Sequence, residues 1–475
     1  MMGGNETKGR RLGMSTTRLT SSLLQPNFQF FRNMRIRCGR TLNRFIRTMQ
    51  TLFSHPEASI AEASKNAAEA KAIYRLLQNP QLTEENVLES YRTETLRQMK
   101  QTEESVFLCV QDTTEIKYGN REKTPGLGAY NRKQTKGLLA HSALVLTPSG
   151  LPLGLLHQKI WARDLALKAE RKVSRPYEQK ESYKWTEAAK ASVLGLPADM
   201  KLIHIGDREA DFFEFLYHLH VDEQSYVVRS MQNRITEAEG LFMQDEVRKQ
   251  PSSGQITVSL PRDTRSSEAA RDTTLEIRFL TDTVHVPAHL KQKGAAYSPL
   301  PCTLIHALET TPLEGETPIE WFLLTNLTVA TVDDAREKVA WYVQRWKIER
   351  FHYILKSGCE IEKLQERDGD RLRKLILFYS IIAVQLQQMT YLVRQKPDAP
   401  CTSFMGDEEW KVLYRVANKT KTLPSKPPTL RESVIALAKL GGFLGRKSDG
   451  DPGAKVLWRG LQAFRTILDN YLYLL

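Results

Sequence analysis

Val106-Phe107-Leu108-Cys109-Val110-Gln111-Asp112-Thr113-Thr114 sets five apolar residues just ahead of an acid. An apolar run of that length reads as a buried strand, with Cys109 as a plain core residue. A second stretch, Lys201-Leu202-Ile203-His204-Ile205-Gly206-Asp207, has the same form. Helical patterns alternate with such runs from about residue 86 onward, which is the signature of an α/β domain. In open α/β sheets, ligands bind beyond the carboxyl ends of strands, so Asp112 and Asp207 stand where a site would form. Each acid taken alone also fits a helix cap or a turn.

Further strands are predicted at 141–146 and 151–156, joined as a hairpin through Pro148-Ser149-Gly150, and at 226–229 and 321–325. A helix is predicted over 207–216. Between about 230 and 320 the sequence is β-like, with runs at 255–260, 275–280 and 302–307. That segment reads as a β-rich insertion into the α/β core. After residue 395 come Pro-rich basic linkers and two amphipathic helices, 431–438 and 456–473. Packing on the body and pairing with a second subunit both suit those helices. The chain thus divides into 1–85, 86–395 and 396–475, without an internal repeat.

Residues 1–85 read as helical and basic, with one helix over 61–77. The first fifty residues carry ten Lys and Arg against a single acid, Glu6. Over 32–47, arginines including Arg40, Arg44 and Arg47 interleave with Met34, Ile36, Leu42, Phe45 and Ile46. This suits a helix with one apolar and one cationic face. A merely solvated face is the alternative; so large an excess of one sign favours contact with phosphates. The whole chain, with a formal charge of +13 and a pI near 9.3, points the same way.

Hydrophobic residues at 41% and charged residues at 26% are ordinary for a soluble protein of 475 residues, which is long enough for two to four domains. The five cysteines form no C-x-x-C pair, which argues against a zinc knuckle or a secreted disulfide frame. No 18-residue apolar span and no signal segment is read, so no membrane partner is expected. A reducing compartment with access to DNA fits best.

Residues 333–357 read as one long helix, with Asp333 and Asp334 at its start and Gly358 as its stop. At about 100° per residue, Tyr342, Arg345, Glu349 and Lys356 fall within a stripe roughly 60° wide. A tyrosine, two cations and a carboxylate on one face suit phosphate binding beside a metal ligand. An exposed face with Glu349 paired to Arg345 at i,i+4 fits equally.

Tyr342-Val343-Gln344-Arg345-Trp346-Lys347-Ile348-Glu349 and, seven residues on, Lys356 fit the Y-(2)-R-(3)-E-(6)-K signature without a gap. Here the chain resembles the DDE transposases of the insertion-sequence-four family. Gln111-Asp112-Thr113-Thr114 and Ile205-Gly206-Asp207-Arg208-Glu209-Ala210-Asp211 resemble the blocks around that family's two aspartates. Residues 154–158, 226–230, 321–325 and 440–443 echo it too, so the likeness runs from about Gly39 to Tyr473.

The resemblance implies an RNase H-like (retroviral-integrase-like) core with an inserted β domain, flanked by helical N- and C-terminal domains. It implies that Asp112, Asp207 and Glu349 bind two Mg²⁺ ions, for which Mn²⁺ can substitute. Oxygen-only donors suit such hard ions. The implied activity is cut-and-paste transposition of double-stranded DNA: cleavage at transposon ends, hairpin formation and strand transfer into target DNA. Tyr342, Arg345 and Lys356 would contact phosphates, and Trp321 would stack on a flipped base, although a strand tryptophan by itself reads as core. Arg229 and Arg234 fall at DNA-backbone positions; Met231 stands where the family pattern has lysine. His352 shares the helix face with Glu349. End recognition would fall to Arg40, Arg44 and Arg47, although Arg37-Cys38-Gly39-Arg40 replaces the family's Gly-Asp pair. The C-terminal helices would form the homodimer of the synaptic complex, in a bacterial cytoplasm at the nucleoid. Two other readings are a nuclease of the same fold without strand transfer, and an inactive DNA-binding derivative.

Overall fold

The computed structural model describes residues 28–473 apart from 120, 122, 131–134, 164–174, 237–240, 261–270, 292–296, 396, 404 and 447–451. The first 27 residues of the basic segment, and part of the first Pro-rich linker, therefore lie outside the described residues.

The two apolar runs are neighbouring strands. β1 (Val106–Lys117) lies antiparallel to β3 (Thr135–Leu146), which also pairs with β2 (Gly128–Tyr130) and β4 (Pro152–Trp161). On its other side β1 runs parallel to β5 (Lys201–Gly206), and β5 parallel to β6 (Ser225–Arg229). The expected 141–156 hairpin is longer than predicted but turns at the same place, with Gly150 at φ 90 as only glycine readily allows.

The β-rich segment continues this sheet. β10 (Glu320–Thr325) pairs with β6, then β9 (Leu300–Glu309), β8 (Arg271–Val284) and β7 (Gly254–Leu260) follow outward. Among the described residues ten strands result, ordered β2-β3-β1-β5-β6-β10-β9-β8-β7 with β4 beside β3. Period-two patterning explains β8, where Thr273, Leu275 and Ile277 are buried between more exposed Thr274, Glu276 and Arg278.

Helices pack on both sides. The N-terminal group comprises α1 (Gly39–Ser54), α2 (Ala67–Leu77) and α3 (Glu84–Lys100). The helix expected over 61–77 is broken, because Asn66 caps α2 by accepting the Glu69 N–H at 3.0 Å. α4 (Tyr183–Ser192), α5 (Phe213–Val221) and α6 (Met243–Lys249) precede the pair that carries the signature, α7 (Val332–Val343) and α8 (Trp346–Tyr353). The helix expected over 207–216 begins only at Phe213, because Asp207 first caps a 3-10 turn, Arg208–Ala210.

α9 (Gly369–Gln395) lies outside the predicted set and, against the expectation of no 18-residue apolar span, is long and apolar enough to cross a membrane by length and composition. Here it is the central core helix. Leu372, Leu375, Ile376, Phe378, Ile381 and Ile382 are all fully buried, and Phe378 meets Phe45 of α1 edge-on at 5.2 Å. α10 (Asp407–Asn418), α11 (Leu430–Leu440) and α12 (Ala454–Tyr473) close the chain, and α10 is an addition to the predicted set. α11 and α12 touch backbone to backbone: a Cβ on Gly460 would stand 1.7 Å from the Leu437 carbonyl oxygen.

Candidate active site

Register brings the first two acids together. Val110 of β1 pairs with Ile205 of β5, so Asp112 and Asp207, each two residues further on, reach the same level of adjacent parallel strands. Such strands lie about 4.8 Å apart. β5 ends at Gly206, whereas β1 continues to Lys117 because β3 still pairs with it, Asp112 standing opposite Ser142. Asp112 is therefore inside a strand, at the limit of its parallel partner, and is not a helix cap. Asp207 does cap: its Oδ1 accepts the Glu209 N–H at 2.8 Å.

The third acid comes from the helical pair. The single helix predicted over 333–357 tightens at Gln344–Arg345, where N–H groups bond three residues back: Gln344 to Trp341 at 3.1 Å, Arg345 to Tyr342 at 2.9 Å. It then loosens into a π-helical turn, Ile354–Gly358, which carries Lys356. Departures of both kinds recur at functional sites. They alter the 60° stripe, yet Arg345 still reaches Glu349, Nη2 to Oε1 at 2.7 Å.

Arg345 contacts one of the three carboxylates and acts on the other two through its charge. Only 8% exposed, it pairs with Glu349, and its charge also acts on Asp112 and Asp207. Burial pushes the Asp207 carboxyl up and the Asp112 charge adds to this, outweighing the Glu209 N–H and Arg345. Burial pushes Asp112 up too, but the His352 hydrogen bond and charge, the Thr113 N–H and Arg345 together hold it below the usual range. His352 Nδ1 lies 3.5 Å from Asp112 Oδ2. Burial lowers Lys356, while the charges of Glu362 and Asp112 favour its ammonium form.

A divalent cation suits these oxygen donors, since the Asp112 charge raises the proton affinity of Asp207 and a nearby positive charge would relieve it. As they stand, however, no three His, Cys, Asp or Glu side chains among the described residues are grouped to hold a metal.

The remaining predicted residues divide. Tyr342 is 3% exposed and shares a hydrogen bond with Arg229, whose Nη2 also donates to the Glu320 carbonyl at 3.3 Å. Trp321 is buried in the core and meets Tyr342 edge-on at 5.4 Å, so a base reaches its face only if that packing opens. Arg234 is held within the protein. It is buried and paired with Asp211 at 2.5 Å, and Asp211 also accepts the Met231 N–H at 2.6 Å and the Gln232 N–H at 2.8 Å. It braces the loop after β6 and offers no open phosphate contact. On α1, Arg40 and Arg47 are exposed and Arg44 half-buried, opposite the buried face of Phe45, Ile46, Met49 and Leu52.

Sequence reasoning missed the polar residues inside the strands, Gln111, His141 and His204, all buried. Their signal was a polar side chain within an otherwise apolar run.

Residues 39–82 match the transposase DNA-binding family model, and residues 190–385 match the transposase DDE domain. Residues 381–474 match the transposase Tn5 dimerisation domain, beginning within α9. Arg40, Arg44 and Arg47 fall in the first match, Asp207 and Glu349 in the second, and Asp112 precedes it. The chain therefore carries, in order, the DNA-binding, DDE and Tn5-type dimerisation domains of a transposase, and is a DNA transposase of the DDE kind.

Proposed function

We propose that this transposase acts by cut and paste, as a member of the insertion-sequence-four family with the Y-(2)-R-(3)-E-(6)-K signature. The observation that carries the proposal is the register that brings Asp112 and Asp207 to the same level beside each other, with Arg345, paired to Glu349, carrying a charge that acts on both. The order β4-β3-β1-β5-β6, three antiparallel strands followed by two parallel ones, supports an RNase H-like core. Helices at both ends support the three-part division at about residues 85 and 395.

In this reading Asp112, Asp207 and Glu349 hold two Mg²⁺ or Mn²⁺ ions, which supply activation of an attacking oxygen and stabilisation of the leaving one. Arg345 leaves the carboxylates for a DNA phosphate, since charge-assisted bidentate contacts are what guanidinium makes best. Tyr342, Arg229 and Lys356 line the same phosphate path. Arg40, Arg44 and Arg47 grip the end sequence through the DNA backbone, and residues 381–474 pair two subunits in the synaptic complex. The work is placed in a bacterial cytoplasm, at the nucleoid.

Incubation with linear DNA bearing the element's end and Mg²⁺ tests the proposal. Hairpinned products followed by strand transfer are expected. Nicking without hairpins would instead favour a nuclease of the same fold, a reading to which the buried Trp321 lends weight.

A further inference from the structure

Three polar side chains lie in an apolar layer on the face of the sheet away from Asp112. His141 of β3, Gln111 of β1 and His204 of β5 are each at most 1% exposed. Thr113 stands opposite His141, and Cys109 opposite His204. Alternation along β1 puts Cys109, Gln111 and Thr113 on one face and Asp112 on the other. Trp185 of α4 covers the layer, edge-on to His141 at 4.8 Å.

The polar groups form a chain across three strands. Thr113 Oγ1 lies 2.9 Å from His141 Nδ1, His141 Nε2 3.2 Å from Gln111 Oε1, and Gln111 Nε2 3.1 Å from His204 Nδ1. Burial keeps both rings neutral, lowering His204 to about 4 and His141 well below its usual range. A neutral imidazole donates from one nitrogen and accepts at the other. One assignment then satisfies every link. The Thr113 hydroxyl donates to His141, His141 Nε2–H donates to Gln111, and the Gln111 amide donates to His204, whose far nitrogen lies toward Gln224.

Apolar side chains would fill this layer at no loss of stability, since buried polar networks gain little over well-packed apolar replacements. Hydrogen bonds differ in tolerance. A slip of β5 along β1 breaks the directional bonds at Gln111 together with the backbone ladder, so the polar chain adds to what holds the register. One end of the chain touches an acid, and the other lies on the strand that leads to the second. Thr113 donates its N–H to Asp112 Oδ1 at 2.7 Å, and His204 is three residues before Asp207.

We infer that the Thr113–His141–Gln111–His204 chain is a positioning device that locks β1, β3 and β5 in register and so sets the spacing of Asp112 and Asp207 for a divalent cation. The inference rests on the reading of those acids as metal ligands. Gln111→Met keeps the side chain's length and removes both of its bonds. In the full chain, three quantities are measured: the Mn²⁺-induced rise in melting temperature, the Mg²⁺ midpoint for nicking end-bearing DNA, and metal-free binding to that DNA. Loss of a residue that orients ligands typically weakens metal affinity about 10- to 100-fold, and a shift of that size is expected in both metal midpoints with DNA binding unchanged. Thr113→Val should shift them the same way and Thr113→Ser should restore them, and this pair alone decides the matter if Gln111→Met does not fold. Wild-type midpoints in Gln111→Met, or in Thr113→Val when that pair decides, overturn the inference. Asp112→Ala separates the two failures: if it still nicks, the site reading itself is wrong, whereas if it is inactive while Gln111→Met behaves as wild type, only the positioning role is lost.

Discussion

Gly206→Ala probes how tightly the second aspartate is held. A Cβ at Gly206 would stand 2.6 Å from Ala210 Cβ, with Trp185 at 3.4 Å and Val228 at 3.5 Å on its other sides. Ordinary carbon contacts lie near 3.5–4.0 Å, so the methyl overlaps Ala210 by about 1 Å and has no free direction to relax. The yielding part is the turn Arg208–Ala210, which Asp207 caps through the Glu209 N–H. Overpacking of this kind costs about 1–3 kcal/mol, and each kcal/mol lowers the melting temperature by roughly 2–4 °C in a domain of this size. Displacing the capped turn carries the Asp207 carboxylate with it. A misplacement of about 1 Å in a catalytic group typically costs on the order of 100-fold in rate. The assay pairs thermal melts with single-turnover nicking of end-bearing DNA. Gly39→Ala is the control for the melts, because nothing lies within 4 Å of its added Cβ. A Gly206→Ala protein with wild-type melting and wild-type nicking would refute the reasoning.

Alanine at Arg40, Arg44 and Arg47 should leave the melting temperature in place and weaken binding to the end sequence; losing three phosphate contacts would flatten the log–log salt slope by about 2.7. Unchanged affinity and slope would remove α1 from end recognition. Trp321→Phe should fold, since an aromatic still packs on Tyr342; if base stacking operates, hairpin yield falls while first-strand nicking persists, and equal loss of both would assign Trp321 to the core alone. The hydrogen bond from Arg271, outweighing burial and helped by Thr273 and the Ile319 N–H, holds the Glu309 carboxyl down at about 2, against an ordinary 4.5. Its ionised form therefore stabilises the fold above pH 4.5 and loses that contribution as the pH falls toward 2. Glu309→Gln should lower the urea midpoint at pH 7, with a gap from wild type that narrows at pH 4; a gap independent of pH would contradict this.

The strands that frame the site were legible because a buried parallel strand needs an unbroken apolar run, and residues 106–110 and 202–205 supply one. Their register was not legible, since the groups that set Val110 opposite Ile205 lie on different strands and neither run contains both. The stripe of Tyr342, Arg345, Glu349 and Lys356 was found by its spacing, but the tightened turn at Gln344 and the π-helical turn at Lys356 leave no mark in residue type. Arg234 was read as a DNA-backbone position from the family resemblance alone; its partner Asp211 lies 23 positions away and only the fold brings them together. α9 was passed over because a helix apolar on all sides shows no amphipathic period.

The most direct test of the three-carboxylate site is single replacement of Asp112, Asp207 and Glu349 by alanine, each assayed for Mg²⁺-dependent nicking of end-bearing DNA and for metal-free binding to it. All three proteins should bind and none should cut. An Asp112→Ala protein that still cut would contradict the account.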